Sequence, residues 1–319
     1  MIASSREFTR GLVVYNPTKT ATPKFRKMQE KIRHLSSTHN LPLTPVDTHK
    51  DSRPTQDKIL QTMRDRDLLI ILGGDGTVNV AVSALLRVER AKRPTIVAAP
   101  MGTANDFSRN HSGRLRGVHG LTHLLRAGKQ IDIHPMVVSV ENTQASTQDE
   151  YIGVNNAGFH YTGSFSRRLN SPGHRDSRLR RVPLVGQLAQ ELRSVHNSTA
   201  ELTTFTSHED GGDESQQLVD RTLVHARTVG KYGHFAISHV DNEFLDIPNS
   251  EATRSAIIKS AARMALGLEP GIRRTNITFM TGMEPTVGHV DGEPFDIDPY
   301  SFVEAHLSEE AFSAYSLQK

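Results

Sequence analysis

The chain has 319 residues, 36% of them hydrophobic, and a formal net charge of +3, with no cysteine and no tryptophan. This length suffices for two domains with separate cores, and the lack of cysteine excludes disulfides, thiolate metal sites and a cysteine nucleophile. No window approaches the ~18 apolar residues of a membrane span, and the N-terminus lacks the apolar core of a signal peptide, which predicts a cytoplasmic protein.

The first part of the chain alternates apolar strands with amphipathic helices. This order predicts parallel strands covered by helices. The first helix begins at Thr22 and Pro23, and its apolar residues recur at helical spacing. In chain order, the predicted strands and helices are strand 11–15, the helix that begins at residue 22, strand 68–72, helix 78–88, strand 95–99 and helix 120–127.

After residue 131 the pattern changes to strands rich in β-branched residues, separated by polar loops. Such a pattern predicts a second domain built as a sandwich or open barrel of antiparallel strands. The clearest of these predicted strands are 136–140, 202–206, 222–229 and 275–280.

The strand at 68–72 runs directly into a loop of small residues. Glycines let backbone N–H groups approach an anion closely, and the helix that follows directs its positive end at the same place. The loop therefore predicts a polyphosphate site, although a tight strand-to-helix turn without a ligand remains an alternative. Asp75 would repel a bare phosphate but suits a bridging Mg²⁺ or a hydroxyl that loses its proton. The loop and the start of its helix comprise Gly73, Gly74, Asp75, Gly76, Thr77, Val78 and Asn79.

Two further strands end in polar loops of the same kind. The strand at 95–99 leads into residues 100–107, and the strand at 11–15 leads into residues 16–18. Loops at the carboxyl ends of neighbouring parallel strands share one crevice, so we expect these loops to face one ligand.

Four motifs together resemble the diacylglycerol kinase catalytic family, which includes bacterial soluble lipid kinases and sphingosine kinases and lies in a superfamily with NAD kinases. They are Gly-Gly-Asp-Gly-Thr-x-Asn at 73–79, Pro-x-Gly-Thr-x-Asn-Asp-Phe at 100–107, Asn-Pro-Thr at 16–18 and Asp-Gly-Glu-Pro at 291–294. The resemblance implies an α/β nucleotide-binding domain with a parallel sheet at 1–133. It also implies an antiparallel β-sandwich for the lipid substrate at 134–299, with the tail 300–319 returning to the first domain.

The resemblance further implies ATP and Mg²⁺ as cofactors. Glu293 is expected to accept the proton of the substrate hydroxyl, Asp75 to belong to the Mg²⁺–phosphate network, and Asp291 to support them. The sequence leaves open whether Glu293 or Asp75 is the base, and Asp291 with Gly292 also fits a hairpin turn. The expected nucleotide-binding residues are Asn16, Pro17, Thr18, Lys19, Thr20, Thr48, Gly73, Gly74, Asp75, Gly76, Thr77, Val78, Asn79, Gly102, Thr103, Asn105 and Asp106.

The chain departs from the family pattern at two places in the second domain. Relatives commonly read Gly-Phe-Asp-Ala where this chain has His160, so His160 is a candidate for substrate recognition, or else an ordinary half-buried histidine. The Asp-Asp-Gly turn that binds a structural Mg²⁺ in bacterial relatives corresponds to Asp241, Asn242 and Glu243. Loss of one charge should weaken a site for a hard cation.

Residues 164–196 combine a run of arginines with an apolar helical face. This combination predicts transient peripheral contact with the inner membrane face, where a lipid substrate lies, unless the apolar face packs on the second domain instead. The basic residues lack interleaved aromatic residues, which argues against a nucleic-acid partner. The sequence also allows a homodimer.

These features predict an ATP-dependent lipid kinase that transfers the γ-phosphate to a lipid hydroxyl, diacylglycerol-like by resemblance. A soluble-metabolite kinase such as an NAD kinase is one alternative, which the motif at 100–107 and the basic segment disfavour. The other is a nucleotide-binding module without catalysis, which the altered metal turn and His160 would fit.

Overall fold

The computed structural model describes residues 8–17, 20–38, 40–49, 51–102, 105–112, 117–170, 202–207, 213–218, 220–225, 242–249, 259, 263 and 271–317. The chain divides into two compact units. The first comprises Met1–Pro135 together with Glu309–Lys319, and the second is Met136–Ser308.

The first unit is an α/β layer structure around a six-stranded sheet. Its strands are β1 (Gly11–Tyr15), β2 (Leu43–Asp47), β3 (Leu68–Gly73), β4 (Thr95–Pro100), β5 (Lys129–Ile133) and, near the C-terminus, β18 (Phe312–Ser316). Its helices are α1 (Pro23–Thr38), α2 (Ser52–Thr62), α3 (Asp75–Leu85), α4 (Asp106–Ser112) and α5 (Gly117–Ala127), with a 3₁₀ turn at Arg90–Lys92.

The sheet has the strand order β2-β1-β3-β4-β18-β5, and β1 to β4 run parallel. Every residue of the central strand β3 is buried, as expected for a parallel strand with helices on both faces. Helix α1 buries the side chains that recur at helical spacing. The predicted parallel α/β architecture is therefore confirmed. The buried side chains of α1 are Phe25, Met28, Ile32 and Leu35.

The second unit is a pair of antiparallel sheets. Among the residues of this unit that the structure describes, one helix is longer than a single turn, α6 (Tyr161–Asn170). Its strands are β6 (Met136–Asn142), β7 (Thr147–Gly153), β8 (Asn156–His160), β9 (Leu202–Ser207), β10 (Asp213–Leu218), β11 (Asp220–Val224), β12 (Phe244–Asn249), β13 (Ile272–Arg274), β14 (Asn276–Thr281), β15 (Thr286–Val290), β16 (Glu293–Ile297) and β17 (Phe302–Leu307).

One sheet has the order β10-β9-β14-β17-β6-β7 and the other β13-β12-β11-β8-β15-β16. Apolar side chains from both sheets form a single core cluster, in which Phe159 of β8 meets Phe279 of β14 edge to face at 4.9 Å. A shared core between two sheets is what defines a sandwich, so the predicted β-sandwich is confirmed.

The return of the chain to the first unit begins later than predicted. Residues 300–319 were expected to return, but β17 pairs with β14 and β6 in the second unit, and the return starts at Glu309. The reason is that Val303 and Ala305 point into the sandwich core, so this strand is needed to fill it. Only β18 joins the sheet of the first unit, antiparallel to β5.

Candidate active site

The carboxyl ends of four parallel strands bring the predicted nucleotide-binding loops to one edge of the first sheet. Tyr15 of β1 is in register with Leu72 of β3, and Gly73 is in register with Pro100 of β4. Asn16, Gly74 and Met101 therefore follow neighbouring strands at the same edge, where ligands of open α/β sheets bind.

The loops after β3 and β4 touch backbone to backbone. A Cβ atom added to Gly74 would lie 2.9 Å from the Cα of Gly102, and one added to Gly102 would lie closer still to Gly74. The N–H of Met101 also donates to the carbonyl oxygen of Gly73 (2.9 Å). Both glycines are therefore required by the space between the loops, because any side chain would push the loops apart.

Helix α3 starts inside the first glycine loop. Gly74 is its N-cap residue, and the N–H groups of Thr77 and Val78 donate to the Gly74 carbonyl at 3.0 and 3.2 Å. The N-terminus of α3 thus lies at the edge of the sheet, where its dipole favours an anionic ligand. Gly73 is held against the side chain of Thr77, which again leaves no room for a Cβ atom.

The carboxylate of Asp75 joins the two loops. Its Oδ1 accepts the N–H of Phe107 at 3.0 Å, which places the carboxylate at the N-terminus of α4. Burial raises the pKa of Asp75, while backbone hydrogen bonds from Phe107, Asp106 and Asn105 act to lower it. Asp75 therefore has a structural task, and its place in a Mg²⁺–phosphate network stays a prediction.

Asn105 closes the second loop on itself. Its Oδ1 accepts the N–H of Gly102 (2.6 Å) and its Nδ2 donates to the carbonyl of the same residue (2.7 Å), with Asn105 at a positive φ of 58°. Asp106 beside it is buried, with Arg109 at 3.7 Å. The side chain of Asn105 is thus used to shape the loop.

The loop after β1 forms a turn. Pro17 accepts two hydrogen bonds from Thr20, one from its N–H (3.1 Å) and one from its hydroxyl (2.7 Å). Thr48 follows β2, and its N–H donates to the carbonyl oxygen of Tyr15 (2.8 Å). This hydrogen bond extends the pairing of β1 and β2 toward the carboxyl edge of the sheet. Thr18, Lys19 and Thr103 lie outside the described residues.

In the second unit the predicted Asp-Gly-Glu motif is a two-residue hairpin between β15 and β16. Asp291 and Gly292 have φ angles of 49° and 88°, as a type I′ turn requires. The carboxylate of Asp291 accepts the N–H groups of Val154 (2.7 Å), Asn155 (2.8 Å) and Asn156 (3.1 Å). Asp291 is therefore a structural clamp.

Glu293 begins β16 directly after this hairpin and is exposed. It is paired in register with Val290, so both strands of the hairpin fix its backbone. An exposed carboxylate on a fixed backbone can accept a proton from a bound hydroxyl.

His160 ends β8 with a positive φ of 66° and is buried. Its ring meets that of Tyr161 edge to face at 4.3 Å, and its partner across the ladder is Asp220. The imidazole is thus enclosed within its own unit, which fits the alternative of an ordinary buried histidine better than an open recognition site.

The structural Mg²⁺ site expected at Asp241 and Asn242 stays a prediction, because only part of it lies within the described residues. Asn242 is exposed, Asp241 lies outside the description, and Glu243 is paired with Arg273 (2.9 Å). Among the residues that are described, no group of three or more His, Cys, Asp or Glu side chains could hold a metal ion. Of the segment 164–196 predicted to contact a membrane, only residues 164–170 are described, as part of α6, so that prediction stays untested.

Three buried groups around helix α6 and the hairpin were not predicted from the sequence. Asp220 of β11 caps α6, Ser166 of α6 contacts Gly292, and His289 of β15 accepts the N–H of Gly292 at 3.3 Å. Burial raises the pKa of Asp220 to about 7 and lowers that of His289 to about 4. No local motif marks Asp220 and Ser166, because their partners lie 58 and 126 positions away along the chain.

No helix of the described chain combines the length and apolar character needed to cross a bilayer.

Comparison with known proteins confirms the resemblance predicted from the motifs. Residues 10–137 match the model of the diacylglycerol kinase catalytic domain. A diacylglycerol kinase of Staphylococcus carnosus (strain TM300) is 33% identical over 118 residues, which are 37% of this chain and 35% of that protein. The chain thus aligns with about a third of the length of this curated relative.

Two solved structures share the fold over most of the chain. A diacylglycerol kinase from Bacillus anthracis str. Sterne has a TM-score of 0.65 at 16% identity, covering 97% of each chain. Yeast NADH kinase complexed with NADH has a TM-score of 0.54 at 14% identity, covering 98% of this chain and 85% of the other. At these identities the likeness concerns the fold.

Proposed function

We propose that this protein, whose residues 10–137 match the diacylglycerol kinase catalytic domain, is a lipid kinase that transfers the γ-phosphate of MgATP to a lipid hydroxyl. The observation that carries the proposal is the backbone contact of Gly74 with Gly102 at the carboxyl edge of the sheet. This contact brings together the loops after β3 and β4 and the N-terminus of α3. Backbone N–H groups arranged in this way favour the binding of a polyphosphate.

In the first unit the main chain would bind the triphosphate. Phosphoryl transfer depends mainly on positioning and on neutralising charge, so backbone N–H groups at a helix N-terminus suit this task. Asp75 would act by holding the second loop against the first through Phe107. The Mg²⁺ enters with the nucleotide as part of the substrate.

In the second unit Glu293 would accept the proton of the lipid hydroxyl. The exposed position of Glu293 supports this role, while the three hydrogen bonds accepted by Asp291 support a purely positioning role for that residue. We therefore favour Glu293 over Asp75 as the base, because the carboxylate of Asp75 already accepts a hydrogen bond at the N-terminus of α4.

The main alternative concerns the class of molecule that accepts the phosphate. The fold likeness to yeast NADH kinase favours a soluble dinucleotide as a second candidate. The names of the sequence relatives favour a lipid. Contact with a bilayer would go through residues 164–196, and charge reversal at Arg178, Arg180 and Arg181 should then weaken binding to anionic vesicles.

The experiment is to incubate the protein with MgATP labelled at the γ-phosphate and either a dispersed total lipid extract or NAD. Label in the lipid fraction, lost in Glu293→Gln while that variant still binds MgATP, is the expected result. Label in NAD would favour the dinucleotide kinase. Nucleotide binding without transfer to either acceptor would indicate a non-catalytic module.

A further inference from the structure

Helix α6 is fixed closely against the strand that leads into the Glu293 hairpin. A Cβ atom on Gly163 of α6 would overlap the carbonyl oxygen of Val287 in β15, so the helix and strand backbones are in direct contact. Arg167 of α6 also pairs with Asp296 of β16 (2.5 Å). The helix therefore contacts both strands of the hairpin.

Ser166 connects this helix to the hairpin turn itself. Its hydroxyl donates to the carbonyl oxygen of Gly292 at 2.6 Å, and Ser166 is only 6% exposed. That carbonyl belongs to the peptide bond between Gly292 and Glu293. The hydrogen bond thus fixes the orientation of the peptide group that precedes the Cα atom of Glu293.

The beginning of α6 is held in turn by the neighbouring strand β11. Asp220 Oδ1 accepts the N–H of Thr162 (3.0 Å) and its hydroxyl (3.1 Å), which caps the helix. A chain of contacts therefore runs from β11 through α6 to the hairpin, and its last member is Ser166.

We propose that Ser166 is a positioning residue for Glu293, holding the Gly292–Glu293 peptide in the orientation that proton transfer needs. The inference rests on the proposed lipid kinase activity. Catalytic groups tolerate displacements of only about 0.5 Å, so one buried hydrogen bond at the adjoining peptide is enough to change turnover.

The test compares Ser166→Ala with Ser166→Thr, which keeps the hydroxyl, and with Ser37→Ala as a matched control, because the Ser37 hydroxyl of α1 also donates to a backbone carbonyl, that of His34 (3.0 Å). Loss of the Ser166 hydroxyl should lower kcat by about fivefold to tenfold, leave the KM for MgATP unchanged, and speed amide hydrogen exchange at 291–293. Ser166→Thr should recover most of the turnover, and Ser37→Ala should match the wild type.

A Ser166→Ala variant with wild-type kcat and wild-type exchange at the hairpin would overturn the inference while leaving the lipid kinase in place. A KM change with unchanged kcat would overturn it as well, since Glu293 acts in the chemical step. A wild-type protein that phosphorylates no lipid would overturn the proposed function and this inference together.

Discussion

Asp75 shows how one carboxylate can organise two glycine loops. Its charge is buried, and the hydrogen bond from Phe107 spans 32 positions of the chain. Buried carboxylates of this kind persist because backbone N–H groups replace the water that they lose.

We expect Asp75→Ala to lower the free energy of unfolding by about 1–3 kcal/mol, because it leaves N–H groups at the start of α4 without an acceptor. Asp75→Asn keeps an acceptor oxygen and should lose less than half of that. Urea unfolding of both variants measures the difference. Equal loss in the two variants would show that charge, and not the hydrogen bond, is what matters at this position.

At the level of residues, the sequence predicted which loops would share the sheet edge but not which contacts they make. Gly73, Gly74 and Gly102 are recognisable from the sequence as loop residues, because glycines that directly follow a buried strand are typical of tight turns and of phosphate-binding loops. The task of Asn105 in closing its own loop could not be foreseen, since it depends on the positive φ of that residue. Asp291 was expected to support catalysis, and its three amide partners show that it holds the loop before β8.

The elements around the hairpin carry two buried groups with opposite responses to pH. Asp220 caps α6 and its pKa is raised from 3.8 to about 7 by burial. His289 of β15 has its pKa lowered from 6.5 to about 4, also by burial. Its Nδ1 accepts the Gly292 N–H, as only a neutral imidazole can.

The signs of the two contributions follow from proton uptake. Between about pH 4 and 7 the folded state holds a proton on Asp220 that the unfolded state releases, so this group makes stability fall as pH rises. Between about pH 4 and 6.5 the unfolded state binds a proton at His289 that the folded state does not, so this group makes stability rise. The two slopes oppose each other in their shared window.

Single substitutions should separate the contributions of Asp220 and His289 to the pH dependence of stability. Asp220→Asn keeps an acceptor for Thr162, and its free energy of unfolding should rise with pH from about 4 to 6.5 relative to the wild type, by up to about 1.4 kcal/mol per pH unit. His289→Gln should show the reverse trend. Urea unfolding across this range is the measurement, and parallel curves for all three proteins would contradict both assignments.

At the level of elements, strands with continuous apolar runs were predictable and edge elements were not. Strands β1, β3 and β4 match their predicted ranges closely because burial on both faces leaves an apolar run. Strand β2 escaped prediction because it is a half-exposed edge strand that contains Pro45. Helix α2 escaped because its sequence is mostly polar, with only Thr55 and Ile59 buried.

The two units are joined by a chain that leaves the first, builds the second and comes back. The returning segment is tied down by Arg93, whose side chain is 4% exposed. Its guanidinium donates to the carbonyls of Val88 (2.7 Å) and Ala311 (2.5 Å) and pairs with Glu310 (2.8 Å). The side chain of Arg93 thus links the loop that follows α3 to the residues just before β18.

Replacing Arg93 by Met should lower the free energy of unfolding of the first unit by about 2–4 kcal/mol, because the partly buried carbonyls of Val88 and Ala311 lose their donor. Glu310→Gln is the matched control, and it should change stability by under about 1 kcal/mol since that carboxylate is largely exposed. Chemical denaturation gives both values. If the two variants were equally destabilised, the ion pair rather than the carbonyl contacts would hold the segment.

For the molecule as a whole, the sequence predicted two domains of the right classes and a return of the tail. It placed the start of the return too early, since an alternating strand such as β17 has no local mark of the sheet that it joins. Its two neighbours, β14 and β6, lie far apart in the sequence, and long-range pairing of this kind is not written in any local pattern.

We propose that the glycine loops in contact at Gly74 and Gly102 bind the triphosphate of MgATP. Calorimetric titration of MgATP into the wild type, Gly102→Ala and Gly11→Ala tests this binding most directly. Gly11 begins β1, at the end of the strand away from the glycine loops, and the nearest atom to a methyl group there is the terminal Cδ2 of Leu43. We predict one binding site in the wild type and in Gly11→Ala, and at least about tenfold weaker binding in Gly102→Ala. Absence of MgATP binding by the wild type, or undiminished binding by Gly102→Ala, would contradict the account.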